Sequence, residues 1–296
     1  MKKAIRFTAI MLSMLCGAAT AKAAETAYDY CAPQNGSRVT LMLVDRSAAY
    51  TEEDVRRFYR GLDRVLKQQT QAGDRLVIRS VRNVSSASDV VFARCLPTCP
   101  AKLGFLESCD EDKVAQDRRN YQAELTEKLA PDILMAPLRI NAETALAETI
   151  DSDVRQGPRP QRLVIFSDFL EYHGAGGGLP KVNFYQKMTA AQADSYIQFL
   201  HATQHLADLR GISVEAYGFG QELGGATQLS GRRPLTDYVL TSVSQFWTSY
   251  FQAAGAQPGF VLNLEYGGGM TPELSMGRAD DRRATQTDKE SDKKTR

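Results

Sequence analysis

Val39-Thr40-Leu41-Met42-Leu43-Val44-Asp45 and Leu163-Val164-Ile165-Phe166-Ser167-Asp168 share one design: an apolar run of strand length that ends in an aspartate. Near-continuous apolar runs suit strands buried on both faces, the condition of a parallel sheet covered by helices. In such sheets ligands sit outside the carboxyl ends of the strands. The two aspartates, each with a serine close by, therefore mark a candidate site.

Between and beyond these runs, helical and strand patterns alternate. Thr51-Glu52-Glu53-Asp54 opens a helix with a capping hydroxyl and early acids, and its apolar positions recur at helical spacing to about residue 70. Gly73-Asp74 turns the chain into a strand over 75–81, and a short edge strand covers 90–93. Residues 112–129 carry a thin apolar stripe on a charged background, which predicts an exposed helix ended by Pro131. A helix over 141–154 leads into the strand 162–168. A loose glycine-rich loop over 173–180, a helix over 189–209, a strand over 214–219, a helix over 235–254 and a last strand over 260–264 follow. This alternation implies parallel βαβ units in a three-layer, doubly wound, Rossmann-like α/β domain. With a strand order of 3-2-1-4-5-6, Asp45 and Asp168 would end neighbouring strands at the switch point.

The two ends of the chain read differently. Lys2, Lys3 and Arg6 precede an apolar stretch over 7–15 that is too short to span a bilayer, and Ala21-Lys22-Ala23 offers small residues for cleavage. Residues 1–23 therefore read as a signal peptide for export to a bacterial periplasm. A lipoprotein anchored through Cys16 and a fully secreted protein are the alternatives. That segment holds four cations (Lys2, Lys3, Arg6, Lys22) and no acid, so removing them from a formal charge of +1 leaves −3. Such a balance gives no electrostatic reason to expect nucleic acid as a partner. Residues 24–37 form a lead-in and 38–266 one domain. Residues 267–296, rich in Asp, Lys, Arg, Thr and Ser, are expected to be a disordered charged tail. No later stretch is apolar for long enough to span a membrane.

Cys31, Cys95, Cys99 and Cys109 follow the signal. An even count in an exported chain favours two disulfides, with three pairings open. The rival, a zinc knuckle, wants two close pairs, and Cys31 and Cys109 are not spaced that way.

Asp45 and Ser47 offer a carboxylate and a hydroxyl from one tight loop, Asp168 a second carboxylate, and Thr144 a hydroxyl where a loop enters a helix. These are hard oxygen donors, suited to magnesium, manganese or calcium. Asp45-Arg46-Ser47-Ala48-Ala49, Thr144 and Asp168 resemble the metal-ion-dependent adhesion site of von Willebrand factor A-type domains. In that family an Asp-x-Ser-x-Ser loop after the first strand, a threonine from a second loop and an aspartate after the fourth strand surround one divalent cation. The element order over roughly 39–264 is similar as well. The resemblance implies a non-enzymatic protein–protein interaction module of the cell envelope, part of a secretion, conjugation or surface assembly. In it, an acidic side chain of the partner completes the ion's coordination. Ala49 stands where the family has its second serine, so the site is degenerate. The Arg46 guanidinium can also take the cation's place beside either carboxylate.

Other constellations are weaker. A metal-dependent hydrolase or phosphatase using Asp45 as nucleophile is the alternative function, but Ser47 occupies the position where such enzymes carry a second aspartate. No Gly-x-Ser-x-Gly elbow is present. His201 and His205 have the i, i+4 spacing of a zinc pair without the glutamate of a metalloprotease. His173 falls in the glycine-rich loop.

Overall fold

The first strand, β1 (Val39–Asp45), is buried along its whole length, as its uninterrupted apolar run requires. The computed structural model describes residues 28–32, 38–46, 52–68, 73–81, 88–99, 109–130, 144–174, 180–218 and 237–264. Residues 1–27 and 265–296, where the signal segment and charged tail are expected, lie outside them, as do Ser47, Ala49, Thr51 and residues 175–179. The helix α1 (Glu52–Lys67), the strands β2 (Arg75–Val81) and β3 (Asp89–Cys95), and the helices α2 (Glu111–Lys128) and α3 (Leu146–Arg155) follow β1. Then come β4 (Arg162–Ser167), the two-residue strands β5 (Tyr172–His173) and β6 (Val182–Asn183), α4 (Ala190–Ala202), β7 (Ser213–Gly218), α5 (Asp237–Ala253) and β8 (Val261–Leu264).

Six strands form the main sheet in the order β3-β2-β1-β4-β7-β8, which is 3-2-1-4-5-6 for its members in chain order. All neighbours are parallel except β2 and β3. The two aspartate-ended runs are therefore adjacent, with Leu41 opposite Leu163 and Val44 opposite Phe166. Strand residues alternate between two apolar clusters, as period-2 geometry demands. Leu41, Leu43, Leu163, Ile165, Val214 and Ala216 join α3, α4 and α5. Met42, Val44, Val164, Phe166, Leu76 and Ile78 join α1 and α2. A sheet clad in this way reads as apolar at consecutive positions.

Gly61 shows how closely α1 approaches the sheet. A Cβ there would lie 2.7 Å from the Phe166 ring, which explains a glycine inside a helix at about 1 kcal/mol relative to alanine. Thr189 caps α4 through a reciprocal capping box with Gln192, and Asp110 caps α2 by accepting from the Lys113 N–H.

The cysteines are paired as two disulfides, Cys31–Cys95 and Cys99–Cys109, so the zinc reading fails. The first ties the lead-in to edge strand β3, and the second joins the chain just after β3 to the residue before the α2 cap. Disulfides of this kind persist in oxidising compartments. No helix among the described residues is long and apolar enough to cross a membrane.

Two expectations need correction. The helix predicted over 189–209 stops at Ala202, because Gln204 takes a left-handed conformation (φ 61°) and turns the chain. His201 and His205 therefore do not share a helix face. His205 instead approaches Glu148 and Asp151 at 3.9 and 4.0 Å. His173 does not ride a loose loop: it belongs to β5, is 1% exposed and packs against Tyr196.

Candidate functional site

Asp45 is the last residue of β1, and Asp168 follows the last residue of β4. Both are buried at 1% exposure. The parallel register that sets Val44 against Phe166 brings Asp45 beside Ser167 at the next step. Residues directly across a ladder share a face, and the Ser167 hydroxyl donates to Asp45 Oδ2 at 2.6 Å. Asp168 Oδ1 accepts the Leu170 N–H at 2.9 Å, folding the strand end into a tight turn.

Inside that turn Phe169 has φ 57°, costly for an aromatic residue. Three contacts hold it there. Its N–H donates to Ser167 Oγ at 2.9 Å, and its carbonyl accepts the Trp247 Nε1 proton at 2.9 Å. The two rings meet edge to face with centroids 5.4 Å apart. The strand end that presents Asp168 is thus anchored to α5.

Thr144 is buried and joins the same region through an antiparallel bridge to Tyr172. The Thr144 N–H donates to the Tyr172 carbonyl at 2.8 Å, and the return bond is 3.1 Å. The structure therefore gathers Asp45, Ser167 and Asp168 at one end of the central strands and stitches the Thr144 segment to the chain just past Asp168. Ser47, the fourth expected ligand, lies outside the described residues. Arg46 is half-buried beside Asp45.

The donor set fits a hard divalent cation: two carboxylates and a threonine hydroxyl, with no sulfur or imidazole among the expected ligands. A carboxylate oxygen has more than one lone pair, so the bonds from Ser167 and Leu170 are compatible with a metal bond. Among the described residues, no group of three or more His, Cys, Asp or Glu is placed to hold a metal. A cation here would depend on hydroxyls and water beside the two aspartates.

A second buried polar group adjoins the site, one that no sequence pattern marks. Glu171 is wholly buried. Its Oε1 accepts the Ala147 N–H in the first turn of α3 at 3.0 Å and the Tyr196 hydroxyl at 3.3 Å. Its Oε2 has no hydrogen-bond partner among the described residues. Burial pushes the Glu171 carboxyl up to about 8, against the opposing pull of the Ala147 and Tyr196 bonds. Tyr196 also meets His173 Nε2 at 3.3 Å. One hydroxyl proton cannot serve both neighbours, so with Tyr196 donating to Glu171, His173 donates to Tyr196. Glu171 thereby ties the segment after Asp168 to the helix that follows Thr144.

Fold and site together define a class: a mostly parallel α/β domain with an acidic pair at the carboxyl ends of its two central strands. No protein-family model matches this sequence, and no curated protein matches it significantly.

Proposed function

We propose that the protein is an exported von Willebrand factor A-type module, three-layered in architecture, that recognises a protein partner in the bacterial cell envelope without catalysis. One observation carries this reading: the first and fourth strands of the sheet are neighbours, and each delivers a buried aspartate to the same end. Asp45, Ser47, Thr144 and Asp168 would hold magnesium or manganese, with water in place of the hydroxyl missing at Ala49. When bound, the ion supplies an open coordination position for an acidic side chain of the partner. The two disulfides support a periplasmic or other oxidising location.

The non-enzymatic reading is favoured over a hydrolase by the surroundings of Asp45. A nucleophilic carboxylate must reach its substrate, whereas Asp45 is buried and accepts the Ser167 hydroxyl. Titration of the protein with magnesium and manganese tests the ion. Binding raises the melting temperature of the wild type by mass action and leaves Asp45→Ala and Asp168→Ala unmoved. An unchanged wild-type melting temperature at millimolar metal removes the cation from the proposal. Phosphatase or esterase turnover that disappears specifically in Asp45→Ala would overturn the non-enzymatic reading. Capture from envelope extracts, with and without chelator, then reports the partner directly.

A further inference from the structure

At the amino-terminal ends of β1 and β2, far from the acidic pair, the α3 side of the sheet carries a half-open pocket of about 240 Å³. The registers explain its floor. Leu41 lies opposite Val77, and Val77 opposite Ala93, so three apolar side chains share one face across β1, β2 and β3. The connection from α3 to β4 forms a wall through Pro158 and Pro160, which bring no N–H groups. A side chain added at Gly157, on the same wall, would meet nothing within 4 Å.

Two arginines reach this space, and their situations differ. Arg79 is buried and spent: its Nε lies 3.0 Å from Asp153. Its guanidinium also donates to the Ser88 hydroxyl and carbonyl and to Gln156 at 2.7–2.8 Å. Arg79 and Asp153 neutralise one another. Arg75 has no such arrangement. It lines the cavity, half-buried, and its Nε is shielded from solvent with no hydrogen-bond partner among the described residues. A guanidinium stays protonated, and a buried donor without an acceptor is costly.

The pocket thus combines a largely apolar lining with an arginine whose buried Nε has no acceptor among the described residues, and its complement is a monoanion with an apolar body. A carboxylate matches the guanidinium fork better than a point anion does. An engineered cavity of about 150 Å³ admits benzene, so this one has room for a ring and a short acid arm. We propose that the cavity binds a small apolar monocarboxylate of aryl-acetate size, with Arg75 holding the carboxylate and Leu41, Val77, Ala93 and Pro158 enclosing the body. The site is independent of the cation reading. Arg75 pairs with Val39, six residues before Asp45 on β1, which is about 20 Å along a strand.

Sodium phenylacetate, titrated into the intact disulfide-bonded protein and followed by amide chemical shifts, tests the assignment, with 2-phenylethanol as the neutral counterpart. Saturable shifts centred on residues 75–79, 90–93 and 156–160 are expected. Affinity should fall about tenfold to a hundredfold for 2-phenylethanol and for Arg75→Gln, the loss of one charge-assisted contact. Ala93→Leu, at an exposed position of the edge strand, fills the cavity and should abolish binding without lowering the melting temperature. Failure to saturate at tens of millimolar phenylacetate overturns the proposal, and so does equal affinity in Arg75→Gln. A short peptide ending in phenylalanine that binds at least tenfold more tightly than phenylacetate would replace the small acid with a peptide carboxyl terminus.

Discussion

The hydroxyl of Ser167 donates to Asp45 Oδ2 at 2.6 Å, linking the ends of β1 and β4 across 122 residues of sequence. The same oxygen accepts the Phe169 N–H at 2.9 Å. One side chain thereby fixes the orientation of one aspartate and the turn that carries the other. Ser167→Ala breaks both bonds and leaves a buried N–H and a buried carboxylate each short of a partner. The expected cost is about 1–3 kcal/mol, read as a lower denaturant midpoint at unchanged m-value. An unchanged midpoint would mean that water replaces the hydroxyl.

How much of this could be read in advance varies with the element. The central, doubly covered place of β1 and β4 is legible because such strands must be apolar at every position, whereas their adjacency follows only if the doubly wound order is assumed. The Ser167–Asp45 bond is not legible, since it depends on the register between strands, which local pattern does not encode. The end of α4 is hidden in the sequence for a related reason. Ala207 and Leu209 lie past the helix yet are buried, so they keep the apolar rhythm going while Gln204 breaks the backbone. β5 and β6 are two residues each, too short for periodicity to register. Glu171 carries no such signal either: acids are seldom wholly buried, and nothing local to Leu170-Glu171-Tyr172 marks it as an exception.

Glu171 makes stability depend on pH with a defined sign. Burial raises its carboxyl from an ordinary 4.5 to about 8 in the folded protein. Below about pH 4.5 both states hold the proton, and the contribution is fully present. From there to about pH 8 the unfolded chain has released its proton while the native state keeps it, so stability falls as pH rises. Above 8 both states are ionised and the loss levels off. The slope from this one group approaches about 1.4 kcal/mol per pH unit. Glu171→Gln preserves an acceptor for Ala147 and Tyr196 and removes the ionisation. Its denaturation free energy should be flatter than wild type between about pH 5 and 8, and superimposable profiles would refute the assignment.

The two disulfides should contribute unequally. Cys31–Cys95 spans 64 residues and Cys99–Cys109 spans 10. Loop-closure entropy puts their removal at about 4 and about 3 kcal/mol respectively, on the chain-entropy account. Chemical denaturation of Cys31→Ser/Cys95→Ser and Cys99→Ser/Cys109→Ser gives the comparison. The first pair also secures the lead-in to β3, so limited proteolysis should cut that variant near residue 31 sooner. Equal costs would show that native contacts outweigh chain entropy here.

Trp247 is the only tryptophan in the chain. It is fully buried, and its Nε1 donates to the carbonyl of Phe169, the residue after Asp168. Trp247→Phe removes that donor and leaves space among packed aromatic rings, at an expected cost of about 2–3 kcal/mol by thermal or denaturant melts followed with circular dichroism. In the wild type the indole is a built-in reporter of the turn. A cation engaging Asp168 pulls on the Phe169 peptide, so magnesium or manganese should shift or quench Trp247 emission with saturation. Asp168→Asn should abolish that response while leaving the emission of the metal-free protein unchanged. A response that persists in Asp168→Asn would locate the cation elsewhere.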